Sequence, residues 1–153
     1  MRLYLMQHGE AVEKETNPER PLSDRGREDV ERVAAFLASA GIRIPVVWHS
    51  GKTRARETAK ILADQVQAET IERNGLNPDE DVALAVTAIN ASDHDLAIAG
   101  HLPHLALLAA ELLRTKGKAA PVQFQRGGVV ALHRSDDKTW QIAWMIVPEL
   151  IKR

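Results

Sequence analysis

Leu3-Tyr4-Leu5-Met6-Gln7-His8-Gly9-Glu10-Ala11 is the stretch on which the rest of the chain depends. Its apolar start stops abruptly at a polar turn that holds His8 and Gly9. A short apolar run bounded by turn residues reads as a strand buried on both faces. In open α/β sheets the ligand crevice lies beyond the carboxyl ends of the strands, so His8 falls in that crevice. Gly9 beside it lets the backbone turn sharply or lets a ligand come close.

The same pattern recurs twice further out. Ile44-Pro45-Val46-Val47-Trp48 ends in His49-Ser50-Gly51 before a helical pattern begins. Leu96-Ala97-Ile98-Ala99-Gly100 ends in His101, and Pro103 then opens another helix. If these strands are parallel, His8, Ser50 and His101 converge at one end of the sheet.

Between these strands the turn and capping signals set out the remaining elements. Ser23 is the expected N-cap of a helix reaching about residue 40, with Val30, Val33, Ala34 and Leu37 on one face and Gly41 as its C-cap. Gly26 in its first turn costs roughly 1 kcal/mol relative to alanine, which a close contact there would explain. A second helix is expected over residues 52–66 and a short strand over 69–72. Asn77-Pro78 reads as N-cap and first-turn proline of a helix to about residue 90. Residues 103–114 read as a strongly apolar, buried helix. After Gly117 the chain changes character. Residues 122–124, 129–133 and 139–147 read as strands, with Ser135-Asp136-Asp137-Lys138 as a hairpin turn. A hairpin is antiparallel, so the sheet is expected to be mixed within one α/β domain over residues 1–153.

Composition narrows the function classes. The 153 residues carry a formal net charge of −1, which disfavours nucleic acid or anionic membrane as a partner. There is no cysteine, which excludes disulfides, thiolate metal sites and a cysteine nucleophile. No stretch approaches the ~20 apolar residues of a membrane span. The strand-like N-terminus lacks a signal peptide's long apolar segment. A cytoplasmic protein is the expectation.

Three places then carry chemistry. The neutral imidazole of His8 can act as a nucleophile toward phosphorus and form a phosphohistidine. Ser50-Gly51-Lys52-Thr53-Arg54-Ala55-Arg56 combines a helix N-terminus, which favours an anion, with three basic residues. Arg54, about one turn into that helix, offers a guanidinium fork to a phosphoryl group; the alternative is a solvated basic face. His101 can donate a hydrogen bond that stabilises charge on a phosphoryl oxygen, or can serve as a helix cap. His101 and His104 also form an H-x-x-H pair. No carboxylate stands nearby in sequence and Pro103 intervenes, so no metal site is expected.

These residues together match a family. Leu5-Met6-Gln7-His8-Gly9-Glu10-Ala11 resembles the L-x-R-H-G-E-A signature of the histidine phosphatase superfamily, the phosphoglycerate mutase-like proteins. Arg20-Pro21-Leu22-Ser23 with Gly26 resembles the R-P-L-[ST]-x-x-G segment of its small SixA-type phosphohistidine phosphatases. Ser50, Arg54-Ala55 and Thr58-Ala59 resemble S-x-x-x-R-A-x-x-T-A, and Gly100-His101-Leu102-Pro103 resembles the G/S-H-x-P that carries the second histidine. The four motifs occur in order over nearly the whole chain. The resemblance implies a three-layer α/β/α sandwich with a mixed, mostly parallel central sheet and no metal or other cofactor. It makes His8 the nucleophile, with Arg54 and His101 on the phosphoryl oxygens. Gln7, Gly9, Arg20 and Ser50 complete the phosphate-binding set. The implied substrate is a phosphohistidine-bearing protein or a small phosphorylated molecule.

The chain departs from the family pattern at two positions. Gln7 stands where the signature has arginine, so one phosphate clamp is weakened; Arg20, Lys52 and Arg56 are the cations available to fill the gap. Gly51 stands where proline is usual. Asp79, Glu80 and Asp81 are the candidates for a general acid, although acidic residues in a helix's first turn need only the dipole to explain them. Gln7 also motivates the alternative reading, a weakened or inactive module that binds a phospho-ligand or a protein.

Overall fold

The computed structural model describes residues 1–115 and 121–152. Gly117, where the sequence pattern changes, lies outside the described residues. In chain order the elements are β1 (Arg2–Gln7), α1 (Asp24–Ser39), β2 (Val46–His49), α2 (Thr53–Val66), β3 (Glu69–Glu72) and α3 (Ala83–Asn90). They continue with β4 (Leu96–Gly100), α4 (His104–Leu112), β5 (Val129–Arg134), β6 (Trp140–Ile146) and a short 3-10 turn at Pro148–Leu150.

The strands form one six-stranded sheet in the order β3-β2-β4-β1-β5-β6. β1 pairs in parallel with β4, and β2 pairs in parallel with both β4 and β3. β5 and β6 add as an antiparallel hairpin on the other side of β1. The mixed sheet expected from the 135–138 turn is therefore present, and the Ser135 N–H closes that turn on the Thr139 carbonyl at 2.9 Å.

The strands alternate between two apolar layers, as a period of two requires. Leu3 and Leu5 of β1 join Trp48, Leu96, Ile98, Val130 and Leu132 under α3 and α4, where Ile89, Leu105 and Leu108 meet them. Tyr4 and Met6 point to the opposite face, against Val30, Val33 and Leu37 of α1 and Ala59, Leu62 and Val66 of α2. Each fully buried Leu or Met contributes roughly 1.5–3 kcal/mol over remaining exposed. The result is a three-layer α/β/α sandwich.

The Ser23 hydroxyl accepts from the Gly26 N–H at 3.0 Å, as an N-cap does. Ala40 is the C-cap and Gly41 follows it at φ +80°. The glycine in the first turn has a steric cause. A Cβ on Gly26 would lie 2.0 Å from the Glu10 carbonyl oxygen, and one on Gly9 would lie 2.8 Å from the Gly26 carbonyl. The first turn of α1 thus packs backbone to backbone on the loop that leaves His8.

Three expectations need correction. Asn77-Pro78 does not open α3, which begins at Ala83. Instead the Glu80 carboxylate accepts from the Asn77 N–H (3.1 Å) and its amide (2.7 Å), closing a local turn. Residues 122–124 form no strand; Val122 and Phe124 pack as side chains against the α3/α4 layer. The helix expected over 103–114 is α4, which is shorter and is preceded by Pro103.

Candidate active site

The ends of β1, β2 and β4 meet as parallel pairing demands. The His8 N–H donates to the Gly100 carbonyl at 2.9 Å, extending the β1–β4 ladder past both strands. That bond sets His8 beside His101, with ring centroids 5.2 Å apart. Ser50 Oγ, one residue beyond β2, lies 2.7 Å from His101 Nε2. His8 is 9% exposed and His101 1%.

The His8 ring has a fixed orientation. Its Nδ1 lies 2.7 Å from the Gly9 carbonyl oxygen. A carbonyl only accepts, so Nδ1 carries the proton and Nε2 keeps its lone pair. Burial pulls His8 down to about 4, the Gly9 carbonyl opposes this, and the charges of Arg54, Arg126 and Arg20 push it lower. At neutral pH the ring is uncharged and nucleophilic at Nε2. His101 falls to about 3, chiefly by burial and then by His8, Arg54 and Lys52.

Thr58 of α2 locks the loop that leaves His8 to the helix that carries Arg54. It is fully buried, its Oγ1 accepts from the Gly9 N–H at 3.1 Å, and it donates to the Arg54 carbonyl at 2.7 Å. The N-terminus of α2 has no side-chain cap; the Ala55 N–H is taken by the Lys52 carbonyl at 3.0 Å, which leaves the N–H groups of Thr53 and Arg54 open to an anion. Gly51 adopts φ +92° just before it, a conformation closed to proline with φ near −65°. That accounts for the glycine at this position.

Arg20 holds its strained position (φ +50°) by donating from Nε to the Val12 carbonyl at 3.1 Å, and its charge reaches both His8 and Arg54. Buried polar atoms without a partner include Gln7 Oε1, Arg54 Nε and His101 Nδ1. Such atoms are rare in folded proteins, and these three belong to residues that converge on one crevice.

The structure brings His8, Gly9, Arg20, Ser50, Arg54, His101 and Gln7 together. Two of the acid candidates, Glu80 and Asp81, are engaged away from His8. Glu80 and Asp81 act on the buried ring of His104, Glu80 is held by Asn77, and Asp81 accepts from the Ala83 N–H at 2.7 Å. Among the proposed gap-filling cations, Lys52 acts on His101 but Arg56 acts on His49 instead. Arg126, absent from the sequence reading, acts on His8. Among the described residues, no group of three or more His, Cys, Asp and Glu is placed to hold a metal ion, and no helix is long and apolar enough to cross a membrane.

The sequence and the fold both have counterparts among known proteins. The sequence model of the histidine phosphatase superfamily (branch 1) matches residues 3–78. The structure of the protein histidine phosphatase SixA complexed with tungstate superposes with a TM-score of 0.84 at 24% identity, covering 99% of this chain and 100% of that one. A protein from Agrobacterium tumefaciens, described as a putative SixA phosphohistidine phosphatase, gives 0.76 at 20% identity, covering 96% and 97%. A mycobacterial glucosyl-3-phosphoglycerate phosphatase gives 0.68 at 16% identity, covering 92% and 96%. No curated protein sequence matches. The chain belongs to the histidine phosphatase superfamily, and its fold is the phosphoglycerate mutase-like one.

Proposed function

We propose that the protein is a phosphatase that hydrolyses phosphohistidine on another protein through a phosphohistidine intermediate on His8. The observation that carries this reading is the His8 ring: neutral, with Nδ1 tied to the Gly9 carbonyl, and set among arginines and unpartnered donors.

His8 Nε2 attacks the phosphorus, the bond from phosphorus to the substrate breaks, and the bond to Nε2 forms. Water then attacks the phosphorus of the intermediate. Inorganic phosphate leaves and His8 is regenerated. Arg54, the α2 N-terminus and His101 stabilise the charge spread over the phosphoryl oxygens, where positioning and electrostatics supply nearly all the catalysis. Arg20 adds charge at the rim, and Ser50 orients His101. Gln7 contributes its amide, a neutral donor when Nε2 is turned inward.

The leaving group favours phosphohistidine over a phosphomonoester. An alkoxide needs a proton from a positioned acid, whereas the nearby carboxylates of Glu80 and Asp81 are engaged elsewhere. A leaving imidazole takes its proton from water on its outer nitrogen. This reading carries with it a cytoplasmic, phosphohistidine-bearing protein as partner.

The test is phosphate release from phosphohistidine proteins and from a panel of alkyl phosphomonoesters under one set of conditions. Higher kcat/KM on phosphohistidine is expected. Faster turnover of the alkyl esters would redirect the reading to a small-molecule phosphatase. Tight binding of either class without turnover would overturn the enzyme reading in favour of a binding module.

A further inference from the structure

We propose that Arg126 is a phosphate-clamping residue, supplying from the turn before β5 the positive charge that Gln7 does not supply at the end of β1. The proposal rests on the phosphoryl-transfer reading of the same site. It starts from topology. β1 pairs antiparallel with β5, with Met6 opposite Val129, so the residues just before β5 run past the end of β1 that bears Gln7 and His8.

Two hydrogen bonds fix them there. The Gly127 N–H donates to the Gln7 carbonyl at 2.9 Å, and the Gly128 N–H donates to the Gln125 carbonyl at 2.9 Å. Residues 125–128 therefore form a tight turn, with Gly127 at φ +74° in the third position, where a type II turn requires a positive φ. Arg126 occupies its second position. A turn of this kind favours proline there and has no use for a guanidinium.

The Arg126 side chain is exposed and makes no hydrogen bond or ion pair among the described residues. Other arginines are engaged: Arg27 with Glu57, Arg32 with Asp29 and the Pro148 carbonyl, Arg134 with the Ser92 carbonyl. An unneutralised guanidinium whose field reaches the nucleophile is placed to meet an anion.

The sheet order explains why it complements the rest of the site. Arg54 and His101 follow β2 and β4, which lie to one side of β1, and β5 lies to the other. Arg126 thus approaches the phosphoryl group from the flank opposite Arg54 and His101. Gln7, between them, is tied by its own carbonyl to the neighbouring Gly127.

The experiment measures binding of inorganic tungstate and phosphate to the intact protein by calorimetry, alongside NMR titration of the His8 ring. Wild type, Arg54→Ala, Arg126→Ala, Arg126→Lys and the Gln7→Arg/Arg126→Ala double variant are compared. Loss of one charge-assisted bond predicts about tenfold weaker oxyanion binding for Arg126→Ala, a smaller loss for Arg126→Lys, and recovery in the double variant. The His8 midpoint should rise in Arg126→Ala, because a like charge has been removed. Unchanged oxyanion affinity in Arg126→Ala, with Arg54→Ala weakened, overturns the role of Arg126 and leaves the site reading intact. Failure of wild type to bind either oxyanion overturns both.

Discussion

Replacing Thr58 with valine removes one hydroxyl and almost no volume, so it isolates the link between the His8–Gly9 loop and α2. In the wild type that hydroxyl accepts from the Gly9 N–H and donates to the Arg54 carbonyl in a fully buried position. After the change the Gly9 N–H is buried without a partner, which costs about 1–3 kcal/mol. The Arg54 carbonyl keeps its helical bond, so the second loss is smaller. We expect destabilisation of about 2 kcal/mol by urea unfolding and a fall in Tm of roughly 4–8 °C. The effect on turnover should exceed the effect on folding, because Gly9 sets the His8 ring through its carbonyl and Arg54 sits at the other end of the same link. A displacement near 1 Å can cost on the order of a hundredfold, so kcat should fall ten- to a hundredfold while KM changes little. Thr58→Ser keeps the hydroxyl and should recover most of both. A valine variant as stable and as active as wild type, or a serine variant as impaired as the valine one, would refute this reasoning.

Further outcomes follow from the same geometry. Gly26→Ala, which helix propensity alone would favour by roughly 1 kcal/mol, should destabilise the protein, because its Cβ meets the Glu10 carbonyl at 2.0 Å; a raised Tm would contradict the packing described. His8 should titrate by NMR near 4 rather than at its ordinary value of about 6.5. Between those values the unfolded chain binds more protons than the folded one, so the contribution of His8 is complete above about 6.5 and is lost as the pH falls through 4. At about 1.4 kcal/mol per unit this amounts to roughly 3 kcal/mol, and His8→Asn should show a flatter stability profile across that window; an unchanged slope would refute it. Exhaustive chelation should leave kcat unchanged, because the proposed phosphate site offers N–H donors and guanidinium charge rather than the oxygen ligands that Mg²⁺ prefers; activity that returns only with added metal would refute this.

Much of the site is legible along the chain because parallel strands deliver their C-terminal ends to one edge. His8, Ser50 and His101 each follow an apolar run directly, so reading the strands also locates the residues. Arg54 and Thr58 lie on the first turns of the helix after β2 and inherit their position from Ser50. Arg126 was not legible by that route. It reaches His8 through the antiparallel β1–β5 pairing, a contact spanning more than a hundred residues of sequence, and its neighbours at 122–124 look like strand residues although they pack as side chains. Asn77-Pro78 misled for a local reason. The pair has the chemistry of a helix start, but Glu80 folds back onto Asn77, and Glu80 and Asp81 act on His104, with Asp81 also accepting from the Ala83 N–H at the start of α3.

The central claim is that phosphorus passes through His8. The direct measurement is rapid quenching of the enzyme with a ³²P-labelled phosphohistidine protein, followed by mapping of the label. The account predicts transient labelling of His8 that is stable to alkali and labile to acid, with no label and no turnover in a folded His8→Ala variant. An acid-stable phosphoenzyme, or a His8→Ala variant that still releases phosphate at the wild-type rate, would contradict it.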